Sequence, residues 1–199
     1  MEISPTAVAD VLGAGQVMDG GIRPVWSPVP RISGPAFTVR CPAGDHLMLH
    51  AAIHRAPPGS IIVVESGDNE HALAGGHVCA VAQRRGVAGF VLDGMIRDVG
   101  AVREMGFPVF ARGVIAATAL ELAVLPLNIP VRCGGVAVTA GDLVVADEEG
   151  VAVVPAGRTG EVLEKVRDRP QLSLDDWERE HRAHIDHLLR EAGWQSDQS

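Results

Sequence analysis

The sequence predicts an α/β fold with a β-rich layer and a helical C-terminal end, on three observations. Between residues 34 and 114, short apolar runs rich in β-branched residues alternate with runs of helical spacing. After Ala117 the pattern changes to short strands broken by glycine turns. From Gly157 onward the chain is charged and helical.

Taken in order, Pro5 to Leu12 reads as a short helix, followed by the connector GAGQVMDGG. Its Gly13 and Gly15 suggest a dinucleotide loop, but Met18 stands where the third glycine is needed and no strand precedes it. GPAFTVRC alternates like a strand, DHLMLHAAIHRA repeats at helical spacing up to the PPG breaker, and SIIVVES is a buried strand. HVCAVAQRRG is a helix closed by Gly86, VAGFVLDG a strand ended by Gly94, VGAVREMG a helix closed by Gly106, and FPVFARGV a third strand of a β-α-β-α-β series. IPVRCGGVAVTAGDLVVADEEGVAVVP supplies the β-rich layer. Pro170 then separates a helix within Arg158–Arg169 from one near Leu174–Ala192, and low complexity is confined to the polar end QSDQS. The expected organisation is one α/β domain over residues 1–156, with a helical extension over 157–199 that packs on the same domain or on a neighbouring subunit.

Composition narrows the chemistry. A formal charge of -8 with no basic stripe argues against a nucleic-acid groove. No apolar run approaches a membrane span and the N-terminus lacks signal-peptide grammar, so the expectation is a cytoplasmic protein with no membrane partner. Cys41, Cys79 and Cys133 are widely spaced and read as buried thiols. The single lysine, Lys165, lies four residues after Glu161 on a solvent-facing helix, a poor candidate for Schiff-base chemistry, which needs a desolvated amine. No Gly-x-Ser-x-Gly elbow exists.

Two histidine groups invite a metal reading. His46, His50 and His54 are spaced by four, but Leu47 occupies the place where zinc enzymes of this pattern carry a glutamate, and a third ligand is not evident; satisfied or surface histidines are the expectation. His181, His184 and His187 read as a solvated face.

GGHVCAVAQRRGVAGFVLDGMIRDVG, residues 75–100, is different because its parts converge on one ligand. If Gly75 and Gly76 turn the chain into a helix, the N–H groups of Gly76, His77 and Val78 lie at its positive end, where an anion fits. Arg97 and Asp98 follow the next strand at its C-terminal end, where open α/β sheets place ligands. Arg97 is suited to a carboxylate and Asp98 to a hard divalent ion. The bland alternatives are a plain turn at the glycines, a surface ion pair for Arg97 and a helix N-cap for Asp98.

GVAGFVLDGMIRDVGAVREMGFPVFARG resembles the signature of the RraA-like family, and the likeness extends to RISGPAFTVRCPAGDHLMLHAAIHRAPPGSIIVVE upstream and to NIPVRCGGVAVTAGDLVVADEEGVAVVP downstream. That family includes 4-hydroxy-4-methyl-2-oxoglutarate/4-carboxy-4-hydroxy-2-oxoadipate aldolases and a non-catalytic regulator of ribonuclease E. The resemblance implies a β/β/α swivelling-domain sandwich, assembled as a homotrimer or hexamer with sites at subunit boundaries. It also implies that Gly75, Gly76, His77, Val78 and Arg97 bind the pyruvate-like part of a 2-oxo acid, and that Asp98 holds Mg²⁺ or Mn²⁺. Arg97 and Asp98 are then the catalytic pair of a metal-dependent aldol cleavage through a pyruvate enolate, the species that oxaloacetate decarboxylation also requires. In one respect the chain departs from the aldolases: Gly76 stands where they carry an acidic residue. Asp68, Glu70, or Glu178 and Glu180 of a neighbouring chain are the candidates to replace it. An annotation sometimes attached to the family, methyltransferase, lacks the glycine-rich nucleoside loop it would need.

Overall fold

A computed structural model of the chain describes residues 3–169 and 172–194. Pro170 and the polar end at 195–199 lie outside the described residues. The chain forms two compact units, divided between Arg167 and Asp168.

The first unit is built on a mixed sheet. Strands β2 (Ile32–Cys41), β3 (Ile61–Ser66), β5 (Gly89–Ile96) and β6 (Val109–Val114) run parallel in the order β6-β5-β3-β2. The two-residue β1 (Arg23–Pro24) closes one edge antiparallel to β6, and β9 (Leu143–Asp147) with β10 (Gly150–Val154) continues the sheet antiparallel past β2. β7 (Val131–Cys133) and β8 (Val136–Val138) form a separate hairpin. The crossovers between the parallel strands carry α2 (Leu47–Ala52), α3 (Gly76–Arg84) and α4 (Val99–Glu104).

Period-two alternation sorts the apolar residues between two cores. Ile62, Val64, Phe90 and Leu92 face the helices and pack with Leu49, Cys79, Ala82 and Val102. Their neighbours Ile61, Val63 and Val91 face the other way, against Val131, Cys133, Val136 and Val138 of the hairpin and Val144, Ala146, Val151 and Val153 of β9 and β10. The intervening Val145, Ala152 and Val154 form a third cluster with Val8 of α1 (Pro5–Leu12) and Val162 of α5 (Thr159–Arg167). Each such side chain contributes about 1.5–3 kcal/mol by leaving water. The layers are therefore helices, central sheet and β-rich layer, so α5 belongs to the first unit. Arg112 on β6 ties these layers together, bonding Asp93 of β5 and, at 3.0 Å through each terminal nitrogen, Asp19. That guanidinium holds the Asp19 carboxyl below its ordinary range.

Among the elements that differ from the sequence reading are β5 and a short strand beside it. β5 runs through Gly94 to Ile96, because a glycine there lets Leu73 and Ser66 approach; a Cβ would meet both at 2.9 Å. β4 (Ala72–Ala74) is an additional strand pairing with the end of β5, too short to show a period. The second unit contains α6 (Leu174–Glu191), started by Ser173, whose hydroxyl accepts from the Asp176 N–H at 3.1 Å.

Candidate active site

The site is assembled where β4 and β5 end side by side. β4 leads directly into Gly75 and α3; β5 leads into Arg97, whose N–H donates to the Ala74 carbonyl at 3.0 Å. That bond clamps the two strand ends and brings Gly75, Gly76, Arg97 and Asp98 together. Asp98 sits in the left-handed region, at φ 57° and ψ 35°, a conformation that costs a non-glycine residue roughly 1–2 kcal/mol and that recurs at functional sites. It occupies the N-cap position of α4 without bonding that helix through its side chain. Its Oδ2 instead accepts from the Gly76 N–H at 3.1 Å, and lies 3.7 Å from Arg97 Nε.

The glycines have different reasons for being glycine. A Cβ on Gly75 would stand 2.6 Å from Asp98 Oδ2 and 3.0 Å from Arg97 Cγ, so the observed placement of both side chains requires its absence. A Cβ on Gly76 would meet Ala101 Cβ at 3.2 Å and Asp98 Cβ at 3.5 Å, a crowding that small shifts relieve. A side chain at position 76 would stand beside Asp98, on the wall of the same cavity.

That cavity has a volume of about 620 Å³ and is lined by Gly76, His77, Ala80, Asp98, Gly100, Ala101 and Met105. The N–H of Gly76 is taken by Asp98; those of His77 and Val78 precede the first intrahelical bond, which runs from Cys79 N to Gly75 O. The Arg97 and Asp98 side chains are 42% and 49% exposed, so both are reachable from solvent. Cys79 beneath the site is fully buried, and burial, reinforced by the Asp98 charge, pushes its thiol up to about 12.

Of the residues considered as substitutes for the missing acid, Asp68 is committed to its own loop. It accepts from Gly44 N, from Glu70 N at 2.9 Å and from His71 N at 3.1 Å; burial opposes its ionisation, but these bonds hold the carboxyl below its ordinary range. Neither it nor Glu70 lines the cavity. In the second unit Glu178 bonds Arg182 at 2.8 Å, and Glu180 is exposed. Lys165 pairs with Glu161 at 2.7 Å on the surface.

The three evenly spaced histidines do not stay together. α2 ends at Ala52, leaving His54 exposed in the following turn, whereas the rings of His46 and His50 stack with centroids 4.1 Å apart. Glu121, from the segment after β6, reaches them: its Oε1 lies 3.2 Å from His50 Nδ1 and 3.7 Å from His46 Nε2. Burial and the neighbouring His46 push His50 below its ordinary value, against the opposing effect of Glu121. No sequence signal links residues 46 and 121; only backbone pairing across the fold does. His181 stacks on Trp177 of α6 at 4.5 Å, and His184 and His187 are exposed.

A β/β/α sandwich with a cavity lined by Asp98 at the C-terminal end of a parallel strand defines the class. The Aldolase/RraA profile of the RraA-like family matches residues 6–153. The chain is 37% identical over 188 residues, 94% of its length and 87% of the relative's, to a Halalkalibacterium halodurans protein named "Putative 4-hydroxy-4-methyl-2-oxoglutarate aldolase". A Burkholderia multivorans protein of the same name is 31% identical over 147 residues, 72% of this chain and 88% of that one. Streptomyces coelicolor RraAS2, described as an unusual member of the RNase ES inhibitor RraA family, superposes with a TM-score of 0.73 at 29% identity, covering 92% of this chain and 93% of that one. The chain belongs to the RraA-like family.

Proposed function

We propose that the protein is a divalent-metal-dependent lyase that cleaves a 4-hydroxy-2-oxo dicarboxylate, such as 4-hydroxy-4-methyl-2-oxoglutarate, to pyruvate and a second carbonyl compound, with oxaloacetate decarboxylation as a side activity. The observation that carries it is a cavity of substrate size lined by Asp98 and, at the start of α3, by Gly76 and His77, with Arg97 Nε beside it at 3.7 Å from Asp98 Oδ2. The names of the two bacterial relatives support the same reaction class.

Asp98 suits Mg²⁺ or Mn²⁺: it is a half-exposed carboxylate, and such ions are commonly held by one or two carboxylates with water and substrate filling the remaining positions. An ion there would supply Lewis-acid polarisation of the 2-oxo acid. Arg97 offers a planar fork for the substrate carboxylate and offsets its charge. The N–H groups of His77 and Val78 add the positive end of the α3 dipole. Asp98 is itself held by the Gly76 N–H, which keeps one carboxylate oxygen fixed towards the protein. No lysine approaches the cavity among its lining residues, in keeping with a metal route. The proposed assembly is a homotrimer or hexamer with the site completed at a subunit boundary.

The rival is a non-catalytic ring that binds and regulates a protein such as a ribonuclease; Gly76, in place of the acid carried by the aldolases, favours it. Pyruvate release from 4-hydroxy-4-methyl-2-oxoglutarate and from oxaloacetate, with and without Mg²⁺ or Mn²⁺, separates the two. Metal-dependent release that disappears in Asp98→Ala is the expected result. No release above that of the ion alone from the assembled native protein would support the regulator.

A further inference from the structure

We propose that His46, His50 and Glu121 form a second cation site, one for a divalent transition ion of zinc-like preference, distinct in its residues from the Asp98 site. The proposal does not rest on the lyase reading. One ligand atom from each of the three side chains lies within 4.8 Å of the others. Tetrahedral zinc with bonds of about 2.0–2.1 Å spaces its ligands by about 3.3 Å, and the separations from Glu121 Oε1 to His50 Nδ1 and to His46 Nε2 are 3.2 Å and 3.7 Å. Two imidazoles and one carboxylate favour zinc and its neighbours over Mg²⁺ or Ca²⁺, which prefer oxygen alone.

The His46 side chain is only 9% exposed, and its Nδ1 and the Nε2 of His50 are buried without a hydrogen-bond partner. The two rings stack with centroids 4.1 Å apart, and an ion shared by both would turn them until their in-plane lone pairs converge on it. The nitrogens that face Glu121, His46 Nε2 and His50 Nδ1, are the ones an ion would take, so the two buried, unpartnered nitrogens are not its ligands.

The surrounding backbone is built to hold the three groups in register. His46 N donates to Leu120 O at 2.9 Å and Leu120 N to Gly44 O at 2.8 Å, pairing the entry of α2 with the residue before Glu121. The buried carboxylate of Asp45 accepts from Leu122 N and Ala123 N at 2.7 and 2.8 Å, fixing the residues after it, and from Leu47 N at 2.8 Å. Glu121 is thus flanked on both sides by bonds to the segment that carries His46. With Glu121 59% exposed, the ion would retain an open position towards solvent while clasping residues 120–123 to α2.

The test uses Co²⁺ as the probe on full-length protein stripped with a chelator, following visible absorption, and Zn²⁺ for thermal unfolding. One Co²⁺ per chain with the intense bands of tetrahedral nitrogen and oxygen ligation is expected in the native protein and in Asp98→Ala. Glu121→Ala, which removes an exposed side chain and should leave the unfolding midpoint of the metal-free protein in place, is expected to weaken Co²⁺ at least tenfold and to abolish the Zn²⁺-induced rise in midpoint. His50→Gln is expected to do the same. Absence of tetrahedral bands, or bands that survive Glu121→Ala unchanged, or bands lost only in Asp98→Ala, would overturn the proposal.

Discussion

At the scale of the residue, the site depends on what is missing from two adjacent positions. Gly75→Ala would press a methyl group into Asp98 Oδ2 and Arg97, whereas Gly76→Ala needs only a small adjustment of Ala101. We expect Gly75→Ala to reduce metal-dependent turnover at least tenfold and Gly76→Ala to leave most of it, measured as kcat/KM for pyruvate release; equal effects would show that the close approach at Gly75 is unimportant. Gly76→Asp would place a second carboxylate beside Asp98, and is expected to tighten Mn²⁺ binding about tenfold by adding a charged ligand. Calorimetric titration of the two proteins checks it.

At the scale of the element, α5 is held by one fully buried side chain. Val162→Ala leaves a cavity among Val8, Val145, Ala152 and Val154 and is expected to cost about 2 kcal/mol, read from denaturant unfolding. Asp45 holds the 120–123 segment to the entry of α2. Burial disfavours its charge, yet the N–H groups of Leu47, Ala123 and Leu122 keep its carboxyl below its ordinary value. A depressed folded value stabilises above the unfolded value of about 4 and is lost as pH falls through the folded one. The thermal midpoint should therefore fall on acidification below about pH 4, with a shallower slope in Asp45→Asn. Elements of this kind were legible to different degrees. Strands such as SIIVVES and the helix from Pro5 announce themselves by period and by proline at a helix start. β4 did not, because three residues carry no period, and its pairing with β5 is what brings Gly75 to Arg97. The helical spacing over residues 45–56 outruns α2, since it continues into a turn that only the fold interrupts at Ala52.

At the scale of the whole molecule, alternation and glycine turns made the β-α-β-α-β series and the β-rich layer legible, the β/β/α arrangement came from the family resemblance, and the Arg97-Asp98 pair stood out because it follows a strand end. Contacts between distant segments were not: Glu121 meets His46 and His50 only through the path of the chain after β6, and Arg112 meets Asp19 only across β6 and the N-terminal segment. The central claim is that one 2-oxo acid meets Arg97, the N-terminal end of α3 and an ion on Asp98 together. Titration of pyruvate into the protein by calorimetry, with and without Mn²⁺, tests it most directly when native protein is compared with Arg97→Ala and Asp98→Ala. The account predicts binding that requires the ion, weakens at least tenfold in Arg97→Ala and vanishes in Asp98→Ala; pyruvate binding indifferent to the ion and to both substitutions would contradict it.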